Sequence, residues 1–174
     1  MNYCEIKNTD IANGEGIRVS LFVAGCTHHC KGCFNPETWD FSAGKPFDSG
    51  IEEKILTLLR ADYIDGLTLL GGEPFEPVNQ RGLISLIRKV KQTCPEKTIW
   101  AFSGYLYDRD LIAGGKAHCE VTDELLDSID VLVDGPFIES LKNLRLRFRG
   151  SENQRLIDLR ETRRSGKLTL LQGC

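Results

Sequence analysis

The feature that most constrains this chain is a run of three cysteines, Cys26, Cys30 and Cys33. They stand at Cys-x3-Cys-x2-Cys spacing within Val23-Ala24-Gly25-Cys26-Thr27-His28-His29-Cys30-Lys31-Gly32-Cys33. The run directly follows the apolar stretch Val19 to Val23, so the thiols belong to a loop that leaves a strand. Thiolates this close in a loop can all turn toward one centre, and soft sulfur ligands favour iron–sulfur clusters or zinc. A structural zinc site wants four protein ligands, whereas the next cysteine here is Cys94, outside ligand spacing. A 4Fe–4S cubane held by three thiolates has one iron without a protein ligand, free to bind a substrate or cofactor. His28 or His29 could instead complete a zinc site with the three thiols, so the residues alone leave both metals open.

Composition narrows the setting. The chain has 174 residues with 41% hydrophobic and 27% charged, enough apolar material for a core without disulfide staples and of a length that suits one domain, residues 1–174. Seven cysteines is an odd count, and their clustering is metal-like, unlike a secreted disulfide framework. The start, Met1-Asn2-Tyr3-Cys4-Glu5, has no basic-then-apolar signal pattern, and no run approaches the roughly 18 apolar residues of a membrane span. These features point to a reducing, cytoplasmic compartment and no membrane partner. A net charge of −3 argues against a large nucleic-acid footprint. Cys4, Cys94 and Cys119 read as isolated thiols, and Cys174 as a terminal, exposed one.

Along the chain, residues 1–17 lack apolar periodicity and read as a lead-in loop. Arg18 to Ala24 reads as a buried strand that ends at Gly25. Asp48 or Ser49 can cap a helix in which Ile51, Ile55, Leu58 and Leu59 recur at helical spacing. Leu67 to Leu70 is a short buried strand, followed by Gly71-Gly72-Glu73-Pro74. Two glycines let a backbone approach a ligand closely, and oxygens there could accept hydrogen bonds from an ammonium group. A plain turn before a helix explains the same four residues. That helix carries Leu83, Leu86, Ile87 and Val90 and ends at Cys94-Pro95. Thr98 to Phe102 is the next strand, with Ser103-Gly104-Tyr105 as a tight turn, and Asp123 to Ile129 reads as a helix. Val131 to Val133 is a further strand, running into Asp134-Gly135-Pro136-Phe137. Asp134, an acid at a strand's C-terminal end, suits ribose hydroxyls or an ion equally with a loop cap.

Gly14-Glu15-Gly16-Ile17-Arg18, the cysteine run and Phe34-Asn35-Pro36-Glu37-Thr38-Trp39 together resemble the signature of radical S-adenosylmethionine (SAM) enzymes, in the branch that activates glycyl radical enzymes. The resemblance implies that Cys26, Cys30 and Cys33 hold a 4Fe–4S cluster whose open iron is chelated by SAM. It implies that Gly71, Gly72, Glu73 and Pro74 hold the SAM amino group and that Ser103 contacts the adenosine end. It also implies that a reduced cluster gives SAM one electron, yielding methionine and a 5′-deoxyadenosyl radical that takes a hydrogen atom from a partner's glycine.

One position departs from the activators of pyruvate formate-lyase, which carry a SAM-binding lysine where this chain has Pro136. Val133 to Phe137 and Phe148-Arg149-Gly150-Ser151-Glu152-Asn153-Gln154-Arg155 instead resemble the activating proteins of anaerobic (class III) ribonucleotide reductase, over nearly the whole chain. That implies an anaerobic ribonucleoside-triphosphate reductase subunit as partner and reduced flavodoxin or a similar donor. Activation of another glycyl radical enzyme, or a zinc-stabilised binding module, are the alternatives.

Leu141 to Arg149 alternates apolar and basic residues, a period-two pattern that predicts a half-buried strand with a basic face. Arg149, Asn153 and Arg155 could dock a partner there, or an arginine could bind SAM's carboxylate bidentately. Arg145 and Arg147 suit a plain solvated face. Arg155 to Leu159 fits a strand or a helix start, and Lys167 to Leu171 a final strand. Strands alternating with helices predict an α/β fold with a mostly parallel sheet of five or six strands. Too short for an eight-unit barrel, it is expected to be the partial, open β/α barrel of the radical SAM type.

Replacing Cys26, Cys30 or Cys33 singly with alanine is expected to abolish the cluster, measured as iron bound after anaerobic reconstitution. Cys94→Ala, Cys119→Ala, Cys174→Ala and the His28→Ala/His29→Ala pair should keep wild-type iron. Loss of all bound metal in the histidine pair would point to a histidine ligand and to the zinc site of three thiols and a histidine.

Overall fold

Every residue of Arg18–Val23 is buried, which sets this strand inside a sheet covered on both faces. A computed structural model describes residues 1–172, so Cys174 lies outside the described residues. The strands are β1 (Asn2–Asp10), β2 (Arg18–Val23), β3 (Lys45–Pro46), β4 (Gly66–Gly71), β5 (Thr98–Phe102), β6 (Val131–Asp134) and β7 (Arg155–Asp158). They form one open sheet in the order β3-β1-β2-β4-β5-β6-β7. The helices are α1 (Ser49–Leu59), α2 (Pro77–Thr93), α3 (Tyr107–Asp110), α4 (Thr122–Ser128) and α5 (Leu159–Ser165).

β2, β4, β5 and β6 are parallel neighbours, with Leu21 opposite Leu69 and Leu69 opposite Ala101. Helices connect them, as parallel pairing requires. β1 runs antiparallel to β2, and β7 antiparallel to β6, so the sheet is mixed although mostly parallel. Side chains alternate across each strand. Val19, Leu21, Leu67, Leu69, Ile99, Ala101 and Leu132 pack with Ile55 and Leu59 of α1, Leu83 and Ile87 of α2, and Leu125 of α4. The opposite face carries Trp100, Val131, Val133 and Leu156, which meet Phe102, Phe148 and Leu171 instead of a helix. One face is therefore sealed by helices and the other by loops.

The local expectations hold where periodicity is strong. Asp48 caps α1 by accepting from the Ile51 amide at 3.0 Å, and α2 ends at Cys94. Three segments differ. Residues 2–10 form β1, an edge-side strand whose Glu5, Lys7 and Asn8 are exposed, so its apolar signal is thin. Leu141 to Arg149 is not a strand. It is a loop closed by a bridge between Lys142 and Ser151, with Leu144 exposed and Phe148 at a φ of 57°, which breaks any extended run. Lys167 to Leu171 is likewise reduced to one bridge, Leu170 to Ile157. Arg155 to Leu159 is both options in turn, β7 and then α5. Among the described residues no helix is long and apolar enough to cross a membrane.

The bottom of the sheet is fastened by Arg18, only 1% exposed. Its Nε donates to Thr68 Oγ1 at 2.7 Å, and Nη2 donates to the carbonyls of Leu67 and Thr98 at 2.8 and 2.9 Å. Nη1 reaches the Glu15 carbonyl and Thr98 Oγ1 at 3.1 and 3.0 Å. Burial pulls its pKa down to about 10, so it stays charged at neutrality, facing the field of Asp65 and Asp130. The planar fork joins β2, β4 and β5 at the end opposite their loops, which lysine cannot do with one point charge. Arg18→Ala should cost about 3 kcal/mol of unfolding free energy, because carbonyls are orphaned in a buried cavity. Arg18→Lys should recover only part of it in a urea titration.

Candidate functional site

Four parallel strands end on the same edge, and each gives way to a loop read above as chemical. β2 leads into the cysteine run, β4 into Gly72-Glu73, β5 into Ser103-Gly104 and β6 into Gly135. Open α/β sheets bind ligands at this edge because the loops there are free to vary. The loops border a cavity of about 590 Å³ on the face without helices, lined among others by Cys26, Cys30, Cys33, Gly71, Gly72, Ser103 and Arg149.

The cysteine loop is held from two sides. The Gly25 and Cys26 amides donate to the carbonyls of Thr38 and Trp39 at 2.8 and 3.0 Å. Opposite, the Gly72 and Glu73 amides donate to Val23 and Gly25 carbonyls, both at 2.8 Å. Backbones approach so closely here that a Cβ on Gly72 would lie 2.6 Å from the Gly25 oxygen, and Gly71 adopts a φ of 102°. Both positions demand glycine for steric reasons.

Glu73 is 1% exposed, and its carboxylate takes four donors. Oε1 accepts from the Phe75 amide and Ser103 Oγ, both at 2.9 Å. Oε2 accepts from the Gly104 amide at 2.7 Å and meets His28 Nε2 at 3.0 Å. Glu76 makes a second clamp, its Oε1 accepting from the amide and hydroxyl of Thr27 at 2.9 and 2.6 Å. Asn79 Nδ2 adds donations to the carbonyls of Ala24 and Glu73, both at 2.9 Å. Sequence reasoning missed Glu76 and Asn79. Their only signal was polar residues at the start of a helix, where caps and dipole partners are ordinary.

Cys26 is 8% exposed, and burial pushes its thiol pKa up to about 12; burial raises Cys30 as well. A thiolate at Cys26 therefore needs a positive centre beside it. Among the described residues no three His, Cys, Asp or Glu side chains gather around one point suited to a single metal ion. His28 is engaged by Glu73, and the His29 ring stacks on Trp39 at 4.7 Å. Among the described residues, two that line the cavity carry buried N–H groups without a protein acceptor, Arg149 at Nε and Trp39 at Nε1. Three thiols and two unsatisfied donors around one cavity fit a thiolate-held cluster together with a ligand that bears acceptor oxygens.

Pro74, Asp134, Asn153 and Arg155 lie around this cavity and not in its lining, whereas Arg149 lines it. Pro74 is buried behind the glycines. Asp134 is fully buried, with Oδ2 accepting from the Tyr107 amide at 2.8 Å and Oδ1 from Arg155 Nε at 2.8 Å. Arg155 also reaches Asp108 at 2.9 Å, and the two carboxylates hold its pKa above the usual arginine range. Asn153 donates to the Pro136 carbonyl at 2.7 Å, and Arg149 Nη1 to the Gln154 carbonyl at 2.9 Å. These contacts tie residues 149–155 to the turn after β6.

Comparison with known proteins is consistent with this geometry. Residues 12–157 match the family model described as a 4Fe-4S single cluster domain. The chain is 45% identical over 156 residues to an anaerobic ribonucleoside-triphosphate reductase-activating protein of Haemophilus influenzae, covering 88% of this chain and 96% of that one. Proteins of the same name are similar in Escherichia coli, 40% identical over 162 residues, and in Enterobacteria phage T4, 39% identical over 158 residues. The alignments cover 92% and 90% of this chain and 100% and 93% of those relatives.

The four-donor clamp yields a direct expectation. Glu73→Gln keeps the shape but turns an amide NH2 toward the two donors of one oxygen, which should cost about 1–3 kcal/mol. Loosening of the cysteine loop should speed alkylation of Cys26 in the metal-free protein, compared with wild type at equal pH. An unchanged labelling rate would mean that the loop is held without Glu73.

Proposed function

The chain belongs to the family of anaerobic ribonucleoside-triphosphate reductase-activating proteins, and on that premise we propose that it is a radical SAM activase that generates a glycyl radical on such a reductase. The observation that carries the reading is the convergence of three thiols, two backbone-exposing glycines and two unpaired N–H donors on one cavity. The strand order β2-β4-β5-β6 runs in one direction with the helices on one face, which supports the partial β/α barrel of radical SAM proteins as a single core domain over residues 1–174.

Cys26, Cys30 and Cys33 would hold a 4Fe–4S cluster and leave one iron for SAM. When bound, the cluster supplies the single electron for reductive cleavage of SAM. The chain's residues bind, orient and exclude water. Gly71 and Gly72 let a ligand lie against backbone, and Glu73 keeps Ser103, Gly104 and His28 fixed beside it. Arg149 Nε and Trp39 Nε1 would donate to the ligand's acceptor oxygens. Phe22, Leu70 and Phe102 line the cavity with apolar surface, which keeps solvent from the reacting atoms. Asp134 and Arg155 would act one step away, by fixing the turn after β6, while Asn153 supports the same turn. No general base is needed, because the step on the partner is hydrogen-atom transfer.

The partner in this reading is the reductase subunit that carries the target glycine, and the electron donor is reduced flavodoxin or a protein like it. A reducing cytoplasmic setting accords with the clustered cysteines. Pro136 separates the chain from a pyruvate formate-lyase activator.

Anaerobically purified protein should be brown, with iron and sulfide each near about four per chain. Incubation with the reductase subunit, SAM and a reductant should yield a glycyl radical by electron paramagnetic resonance, and methionine should be released. A colourless protein with about one zinc per chain and no radical would overturn the reading.

A further inference from the structure

The cavity's mouth carries apolar side chains that are left exposed among the described residues. Leu144 is 84% exposed and Phe34 56% exposed, and both line the cavity. Ile138 and Leu141, each 37% exposed, belong to the same loop as Leu144. This loop is tied down. Lys142 bridges to Ser151, the Asn143 amide donates to the Gly150 carbonyl at 3.2 Å, and the Glu152 amide donates to Leu141 at 3.0 Å. Asn143 then turns the tip, its Oδ1 accepting from the Arg145 amide at 3.0 Å. Beyond it, Phe148 folds back with its ring 5.2 Å from Trp100. Leu144 is thus held outward at the tip of a fastened turn, and its exposure is a property of the fold.

Charge distinguishes this rim from an ordinary exposed leucine. The chain's net charge is −3, yet Lys142, Arg145, Arg147 and Arg149 fall within eight residues of the loop. Lys142 lies over the Phe34 ring at 5.2 Å, and among the described residues no carboxylate lies within ion-pair distance of Lys142 or Arg145. An apolar centre beside Lys142 and Arg145 matches a partner surface with apolar side chains and carboxylates.

Resting on the function proposed above, we infer that Phe34 and residues 138–147 form the docking rim for an acidic, apolar segment of the reductase, the one that delivers its glycine into the cavity. Position supports this occupant over a remote contact, because a segment seated on Leu144 and Phe34 is already at the mouth. A standard interface of roughly 800 Å² per partner is about a tenth of the 8450 Å² surface, so the rim would be its centre.

The test uses the reconstituted full chain and the purified reductase subunit, with affinity measured by titration calorimetry under anaerobic conditions. Leu144→Asp should weaken binding by about tenfold or more, while Leu144→Met stays near wild type and both keep wild-type iron. The pair Lys142→Glu/Arg145→Glu should lose about tenfold at low salt and converge with wild type at high salt, because exposed charges are screened. Its SAM cleavage without partner should be unchanged. If wild type binds the reductase and these variants bind equally well, the rim is not the docking surface while the proposed function stands. If wild type neither binds the reductase nor forms a radical on it, both fall. A change in the variants' own oligomeric state, with reductase affinity intact, would assign the rim to a second copy of this chain and overturn the inference.

Discussion

The buried carboxylate of Glu73 is the interaction on which the site depends. Taking a carboxylate out of water costs several kcal/mol unless its oxygens are fully hydrogen-bonded. Here four donors arrive from three segments: the turn after β4, the turn after β5, and the cysteine loop through His28. None of those segments has regular structure of its own at that point. The need to satisfy one buried charge forces them into a single arrangement, and with it the relative position of the glycines, Ser103 and the thiol loop. Glu76 repeats the device one turn further on, with Thr27 as its client.

Apart from Glu76 and Asn79 at the start of α2, the helices pack away from the site. All the large aliphatic packing of α1, α2 and α4 lies on one face of the sheet. The opposite face has only the small cluster around Trp100, covered by loops. Loops seal a sheet less completely than helices, and the residue of that incomplete sealing is the cavity. Arg18 fastens the opposite end of the sheet by donating from β2 to β4 and β5, whereas Arg149 in the cavity lining retains a buried N–H with no acceptor among the described residues. One arginine therefore has its donors taken up by the sheet, and the other keeps Nε without an acceptor among the described residues.

The same contrast runs through the segment after β6. Asp134 and Arg155 satisfy each other, Asn153 holds Pro136, and Gln154 accepts from the Gly150 and Ser151 amides at 2.8 and 3.1 Å. This inner lattice is rigid and nearly complete. Beyond it, the loop with Leu144 at its tip is apolar and basic, and among the described residues Leu144 is left 84% exposed. A rigid base with an uncovered tip suits recognition of another protein, because little ordering entropy remains to be lost on contact.

The sequence by itself determined the parallel strands, the two long helices and the cysteine loop at a strand end. Buried strands and amphipathic helices announce themselves through local periodicity, as in Leu67 to Leu70 and in Leu83, Leu86, Ile87 and Val90. The three-thiol spacing and the Gly-Gly-Glu-Pro turn were equally local. Tertiary structure decided what depends on partners distant in sequence. Residues 2–10 became a strand because β2 offered them an open edge, although their own pattern is weak. The alternation of residues 141–149 became a loop because Lys142 pairs with Ser151 and no neighbouring strand was available. Asp134 was turned from a ligand-facing acid into Arg155's counterion, and Glu73 from one residue of a turn into the hub of three loops. A side chain's hydrogen-bond partners are fixed by the packing of remote segments, and no spacing within one stretch of chain encodes them.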